Sequence, residues 1–304
     1  MRVSVSLTNY SWPGGPAELR RELGRIAGEA ERAGVDTVWV PDHVIQADPT
    51  VPASDADMLE AYTTLGFLAA RTERVRLGTM VTGATFRPPA LLAKAVSTLD
   101  VLSGGRAWLG IGAGHQEEEA RNMGLPLPSM RERFEELEET LEIVRRLWEG
   151  DESPFEGRHH RLAHPVDRPG PLGRPRILIG GRGERRTLPL VARHADACNL
   201  FDIPDGGRTV RHKLEVLARL CEEIGRPYAE IEKTLSSRLE EGETSEAFAA
   251  RCARAAAWGI DHVVVVRSRA WTTDALATLG GAITGLEGVT AADGSEMRTS
   301  GHRL

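Results

Sequence analysis

Short Val- and Ile-rich runs alternate with amphipathic stretches along nearly the whole 304-residue chain, and the alternation recurs eight times. Such runs, lacking strict polar alternation, are what strands buried on both faces require, as in a parallel sheet covered by helices. Strands are expected at 3–8, 37–40, 75–78, 107–111, 176–179, 197–200, 231–235 and 262–266. Helices are expected at 16–33, 57–71, 88–102, 130–149, 184–194, 209–224, 245–258 and 273–279. Pro16 suits the start of the first helix and Gly34 its end. Phe134, Leu137, Leu141, Val144 and Leu147 mark one apolar face of the fourth. The run at 231–235 has the weakest pattern of the eight. Open doubly wound sheets usually stop at about five or six strands, so eight strand–helix units predict a closed α/β fold, the (β/α)8 or TIM barrel. One domain is expected over 1–286, with loop insertions, and then a flexible tail over 287–304.

Composition narrows the functional classes. Hydrophobic residues make up 41% and charged residues 27%, ordinary for a soluble globular protein. A net charge of −6 argues against a nucleic-acid partner, which calls for a basic face. Cys198, Cys221 and Cys252 are odd in number and widely spaced, so no disulfide framework or CxxC metal site is expected and a reducing cytoplasm suits them. The N-terminus reads as a strand and not a signal peptide, and the longest apolar runs, such as 263–266, are too short to cross a membrane.

Barrel enzymes carry their chemistry on the loops just past the strands. Those positions hold Asn9, Tyr10 and Trp12, then Asp42 and His43, then Thr79, Met80 and Val81, then Gly112 to His115, then Gly180-Gly181-Arg182-Gly183. His43 is the leading candidate because an imidazole passes protons near neutral pH; the alternative is a structural histidine bonded to a carbonyl. Its neighbour Asp42 is a candidate to orient it. The glycine turns after the fourth and fifth strands let backbone N–H groups approach an anion, and turns without ligands use the same residues. His159, His160 and His164 read as a solvated loop and not a metal site. The run Glu117–Glu119 reads as a solvated face, and Glu60 and Tyr62 either face the pocket or pack. No GxSxG elbow is present, which disfavours hydrolases of that class. The long segment 44–56 is a candidate lid, and 151–174 either stays at the opposite face or reaches across.

Four stretches occur in order: Val38-Trp39-Val40-Pro41-Asp42-His43, Leu77-Gly78-Thr79-Met80-Val81-Thr82, Thr98 to Arg106, and Leu109-Gly110-Ile111-Gly112-Ala113-Gly114. Together they resemble the luciferase-like superfamily, and more closely its actinobacterial oxidoreductases that use the deazaflavin coenzyme F420. The resemblance runs from Val3 to about Leu279. It implies a (β/α)8 barrel, usually a homodimer, with a deazaflavin in the cleft above the strands and a small-molecule substrate beside it. It implies a non-prolyl cis peptide at Met80–Val81 against the ring, and a cofactor phosphate held by Ala113, Gly114 and the Gly180-Gly181-Arg182 turn. Asp42 and Thr79 complete the candidate cofactor residues; His43 and His115 are the candidate catalytic pair. His43 matches the family's active-site histidine. Two departures stand out: the family's sugar-phosphate dehydrogenases carry an acid where this chain has His115, and a Trp where it has Ala47. Their substrate is therefore not carried over. The leading expectation is hydride transfer between F420 and an organic substrate. The alternatives are an FMN-dependent monooxygenase, with FMN in place of F420, and a non-catalytic flavin-binding subunit.

Overall fold

Each barrel strand of this chain divides its side chains between two environments, the surrounding helices and the barrel interior. The computed structural model describes residues 1–292. The chain runs through β1 (Arg2–Ser6), α1 (Pro16–Arg32), β2 (Thr37–Val40), α2 (Ala61–Ala69), β3 (Arg76–Thr79), β4 (Thr82–Gly83), α3 (Pro89–Ser103) and β5 (Ala107–Gly112). It continues through α4 (Glu117–Met123), α5 (Met130–Glu149), β6 (Phe155–Glu156), β7 (Arg161–Leu162), β8 (Arg176–Gly180), α6 (Thr187–His194) and β9 (Ala197–Phe201). It ends with α7 (Arg208–Glu223), β10 (Glu232–Arg238), α8 (Ser245–Ala257), β11 (His262–Val266) and α9 (Thr273–Gly285). Parallel pairing runs β1–β2–β3–β5–β8–β9–β10–β11 and returns to β1, so the eight long strands close a (β/α)8 barrel.

Outward residues such as Val3, Val5, Val38, Val40, Leu109, Ile111, Ile177, Ile179, Val263 and Val265 join the helices in one core. Inward residues Trp39, Trp108, Leu178, Ala197 and Val264 form a second, separate cluster. Trp39 and Trp108 meet edge to face with ring centroids 5.5 Å apart. Gly78 makes their space: a Cβ there would lie 2.7 Å from Trp39 and 2.8 Å from Trp108. The indole N–H of Trp39 donates to Ser4 Oγ at 3.0 Å, so the interior ring also has its polar partner.

The end of the barrel where the strands begin is sealed by charge. Glu232 is buried and holds His262 Nδ1 at 2.7 Å, Arg176 at 2.7 Å and Arg2 at 2.9 Å. The weak seventh strand is explained here: β10 turns Glu232, Thr234 and Ser236 toward a polar interior, so no apolar run announces it.

Other differences from the sequence reading have local causes. Helix α2 starts at Ala61 and not near 57, because the Glu60 carboxylate caps it, accepting from the N–H groups of Tyr62 and Thr63 at 3.2 and 2.7 Å. Helix α4 lies in a stretch where the sequence pattern predicts no helix. Segment 151–174 folds into the β6–β7 hairpin and runs along α3 and α5, where Asp167 takes Lys94 at 2.8 Å and Glu139 accepts from the His160 N–H at 2.9 Å. Helix α5 begins with a capping box between Ser129 and Glu132 and stops at Gly150, whose φ of 77° favours glycine. The backbone stays bonded to the barrel as far as the Ala292 N–H, 2.9 Å from Ala256 O. Residues 293–304 of the expected tail lie outside the described residues. Among the described residues no helix is long and apolar enough to cross a membrane, and no cluster of three or more His, Cys, Asp or Glu is arranged to hold a metal.

Burial would raise the Glu232 pKa, but the His262 hydrogen bond and the flanking guanidiniums outweigh it and hold the carboxyl down at about 2. Its folded-state value thus lies below the ordinary 4.5, so its stabilisation is complete above 4.5 and is lost as pH falls toward 2. Glu232→Gln should lower stability by about 3–5 kcal/mol at neutral pH. In urea titrations across this acid range the gap between wild type and variant should narrow; a gap independent of pH would exclude the ionic seal as its source.

Candidate active site

Above the Trp39–Trp108 layer the strand ends open into a cleft of about 1040 Å³, lined from β1, β2, the β3–β4 turn, β5, β8, β9, β10 and β11. That is at the upper end of small-molecule sites, roughly 300–1,000 Å³. Alternation along the strands sets its floor: Ser6, Asn199, Ser236 and Val266 point inward at the top, as the interior cluster does below.

Strand β2 delivers His43 three residues past its end. The His43 Nδ1 lies 2.6 Å from Oε2 of Glu119, on α4, whose side chain is 2% exposed. The other carboxylate oxygen accepts from the Val44 N–H at 2.7 Å. A carboxylate so engaged accepts a hydrogen bond from Nδ1–H and leaves the Nε2 lone pair of the neutral ring facing the cleft. His43 lines the cleft, and its Nε2 has no partner among the described residues. The sequence pattern puts Glu119 on a solvated face; the structure buries it as the partner of the leading histidine. The signal available is its place in the first turn of a short helix that ends at Gly124, close behind the Gly112–Gly114 turn.

Asp42 does not orient His43. It accepts from Arg87 at 2.5 and 3.1 Å and from the Thr82 hydroxyl at 2.8 Å. Thr82 in turn meets the Tyr62 hydroxyl at 2.9 Å, and Arg87 lies over the Tyr62 ring and bonds Glu60. Burial, with the Asp42 charge adding to it, pushes the Tyr62 pKa upward, which keeps that hydroxyl protonated. Glu60 and Tyr62 therefore belong to a bonded network behind the cleft wall. His115 stands at the start of the loop before α4, its ring 6.4 Å from that of His43 and nearly perpendicular. Burial first, then the neighbouring His43 and Arg133, lower the His115 pKa, favouring the neutral ring at pH 7.

The Met80–Val81 peptide bond is cis, and both residues line the cleft. The glycines of β5 and β8 make room for this turn. A Cβ on Gly110 would lie 1.8 Å from Thr79 O, and one on Gly112 or Gly180 would lie 3.1 or 3.0 Å from the Val81 side chain. Gly114 and Gly181, with φ of 76° and 118°, adopt backbone that side chains disfavour and so keep open backbone on the cleft wall. Ala113 and Gly180 line it as well. Two candidates do not: Thr79 is fully buried and bonds Gly110 O at 2.7 Å, and Arg182 lines a separate depression. Of the aromatic candidates, Phe86 reaches the wall, whereas Trp12 is buried and donates to Trp271 O at 2.8 Å.

The 44–56 segment supplies Gln46, Ala47, Asp48 and Pro49 to the rim. It is tied down by Gln46 to Thr8 O, Gln116 to Ala47 O, and Arg238 to Thr50, at 2.9, 3.1 and 2.9 Å. No residue of 151–174 reaches the cleft. Asn199, Ser236, Arg238 and Arg251 are lining residues that the sequence reading missed, because three of them sit on strands read only for their apolar pattern.

Comparison with known proteins agrees with this architecture. An F420-dependent glucose-6-phosphate dehydrogenase from Amycolatopsis mediterranei is 36% identical over 178 residues, covering 58% of this chain and 50% of the relative. One from Kineococcus radiotolerans is 33% identical over 225 residues, covering 72% and 63%. The chain thus spans about half to two thirds of the length of these relatives. Among solved structures, an F420-dependent secondary alcohol dehydrogenase in complex with an F420-acetone adduct superposes with a TM-score of 0.78 at 18% identity, over 94% of this chain and 99% of that one. A monooxygenase from Streptomyces bottropensis gives 0.76 at 22%, over 92% and 96%, and both likenesses are of fold. The luciferase-like monooxygenase family matches residues 1–295, and the chain belongs to that family.

Proposed function

We propose that this protein is an F420-dependent oxidoreductase in which His43 handles the proton that accompanies hydride transfer. The observation that carries the reading is the His43–Glu119 pair, with its free Nε2 on the wall of a large cleft beside the Met80–Val81 turn. The F420-dependent relatives support the choice of cofactor. The cleft fits such a group: its volume suffices, and Gly114 and Gly181 leave backbone that a side chain would cover. Met80, Val81, Ala113, Gly114, Gly180 and Gly181 would hold it. When bound, the deazaflavin supplies a two-electron hydride carrier that has carbon in place of the flavin nitrogen behind oxygen reactivity.

The residues of this chain do the rest. Glu119 holds the His43 ring so that Nε2 accepts a proton from a substrate hydroxyl, or, as imidazolium, donates one to a carbonyl. In both cases the buried carboxylate keeps Nδ1–H as a donor and so fixes which ring nitrogen faces the substrate. His115, held neutral, offers a hydrogen bond near the same position without adding charge. His43→Ala should lower kcat by about 10²–10⁴-fold, and Glu119→Gln should cause a smaller loss, both with little change in F420 affinity. Full turnover in either variant would remove the pair from the mechanism.

Cofactor choice has a direct test. Fluorescence titration should show micromolar binding of F420 and weaker binding of FMN; the reverse order would assign the cleft to flavin chemistry.

The cleft also bears on the substrate. Its charged wall residues are Asp42, Asp48, Asp202 and Glu240 against Arg238 and Arg251. Arg251 is engaged by Glu243 at 2.8 Å and Ser237 at 2.5 Å, and Arg238 by Thr50. A dianionic sugar phosphate meets one guanidinium without an ion pair among the described residues, Arg238, and four wall carboxylates, Asp42, Asp48, Asp202 and Glu240, whereas Met58, Phe86, Phe134 and Val266 offer apolar surface. The substrate class is therefore a neutral alcohol or carbonyl compound. With F420, simple secondary alcohols should give kcat/KM at least about tenfold above glucose 6-phosphate, the equivalent of one unfavourable buried charge contact; the opposite preference would overturn this assignment.

A further inference from the structure

Helix α4 carries Glu119, the partner of His43, yet little apolar surface holds it to the barrel. Of its seven residues only Glu119 and Ala120 are buried, and one methyl group is too small to fix a helix by burial. Its ties to the cleft wall are polar. Glu119 meets His43 Nδ1 at 2.6 Å and accepts from the N–H groups of Val44 and Ile45 at 2.7 and 3.4 Å. Just before the helix, Gln116 Nε2 donates to Ala47 O at 3.1 Å. On its other side a depression of about 630 Å³ is lined by Glu117, Ala120 and Arg121 from α4 and by Met130 and Arg133 from α5. Both ends of the segment are pinned. Arg133 Nη1 donates to Gly114 O at 2.7 Å, and the Thr85 hydroxyl donates to Pro126 O at 3.0 Å. Beside each pin stands a glycine in the left-handed region, Gly114 with φ of 76° and Gly124 with φ of 67°. A Cβ on Gly124 would meet no atom within 4 Å, so that glycine serves backbone conformation and not close packing.

We infer that α4 is a gate hinged at Gly114 and Gly124. Docked, it presents Glu119 to His43; undocked, it moves into the depression behind it, and the cleft wall parts between Gln116 and Ala47, both of which line the cleft. The residues that hold the helix in place are the same ones that orient the histidine, so docking and orientation are one event. With the wall open, His43 loses the bond that fixes which nitrogen faces the cleft, and Glu119 passes from burial into water. The proton-transfer site is therefore complete only when the wall beside it is closed, which admits substrate first and excludes bulk water afterwards. The consequence for catalysis rests on the proton role proposed for the pair; the motion itself does not.

The test is amide hydrogen exchange of the protein without cofactor, read residue by residue by NMR. The Val44 N–H reports docking directly, because Glu119 accepts it. The Ala120 N–H, bonded to Gln116 O at 3.0 Å, reports the helix, since a single undocked turn or two does not hold its own bonds for long. Both should exchange at least about a hundredfold faster than the buried Leu141 amide of α5, through a common local opening. Gly124→Ala places a side chain at positive φ, strains the docked hinge and should raise both rates by one shared factor of about three- to tenfold, with Leu141 unchanged. Gln116→Ala cuts the tie to Ala47 and should act in the same way from the opposite side, by a similar factor of about three- to tenfold. Val44 as strongly protected as Leu141 overturns the gate. So does Gly124→Ala that speeds Ala120 and leaves Val44 unchanged, for then the helix and the rim do not move together. Neither result touches the choice of cofactor, because exchange is read in its absence.

Discussion

The arrangement depends on how the barrel interior is filled. Eight strands enclose a space that side chains must occupy, and here two indoles, Trp39 and Trp108, take the middle of it. They fit only because β3 contributes Gly78 between them. Enlarging that residue by one methyl would force the strands apart or the rings out of contact, either at a cost of about 1–3 kcal/mol. With the middle filled, the interior above it has no apolar plug, and the strand ends there open as a cleft. The layer that stabilises the barrel is thus also the floor on which the site stands.

Polarity changes along the barrel axis in a way that ties stability to function. The first residues of the strands meet in the Glu232 ionic seal, the middle is apolar, and the top turns Ser6, Asn199 and Ser236 toward the cleft. Ionic and polar groups at the two ends serve opposite purposes. At the closed end Glu232 is matched by His262, Arg176 and Arg2, which ties β10 to β11, β8 and β1. At the open end His43 Nε2 and the backbone of Gly114 and Gly181 stay available to a ligand. Glycine does double duty nearby, since Gly110, Gly112 and Gly180 give way to the Met80–Val81 turn and only Gly114 and Gly181 keep the backbone itself open.

The same division governs how much of the molecule is legible in its sequence. Strands with outward Val and Ile announce themselves, and the barrel is legible from them because helices cover that face. Strand β10 is faint because its inward residues are polar, and its inward face carries information that an apolar pattern does not register. His43 is legible because strand-end loops are few and imidazoles on them fewer. Glu119 is not, because an acidic triplet on a helix looks the same whether one member is buried or none is; only the fold brings it within 2.6 Å of a residue 76 positions earlier. Asp42 misleads for the converse reason: adjacency in sequence suggests a partner for His43, while the strand geometry turns its carboxylate toward Arg87.

The two acidic partnerships can now be separated by what surrounds them. Asp42 meets a permanent cation, so its charge is neutralised and committed to fixing the wall behind Met80–Val81. Glu119 meets an imidazole in place of a permanent cation, so its carboxylate serves to hold that ring with Nδ1 inward and Nε2 toward the cleft. Exchanging those roles would disable the site: an arginine beside Glu119 would satisfy the carboxylate and leave His43 unoriented. His115 fits this division. A carboxylate in the place of His115 would compete with Glu119 for a hydrogen bond from His43, whereas a neutral imidazole adds a hydrogen bond without adding charge.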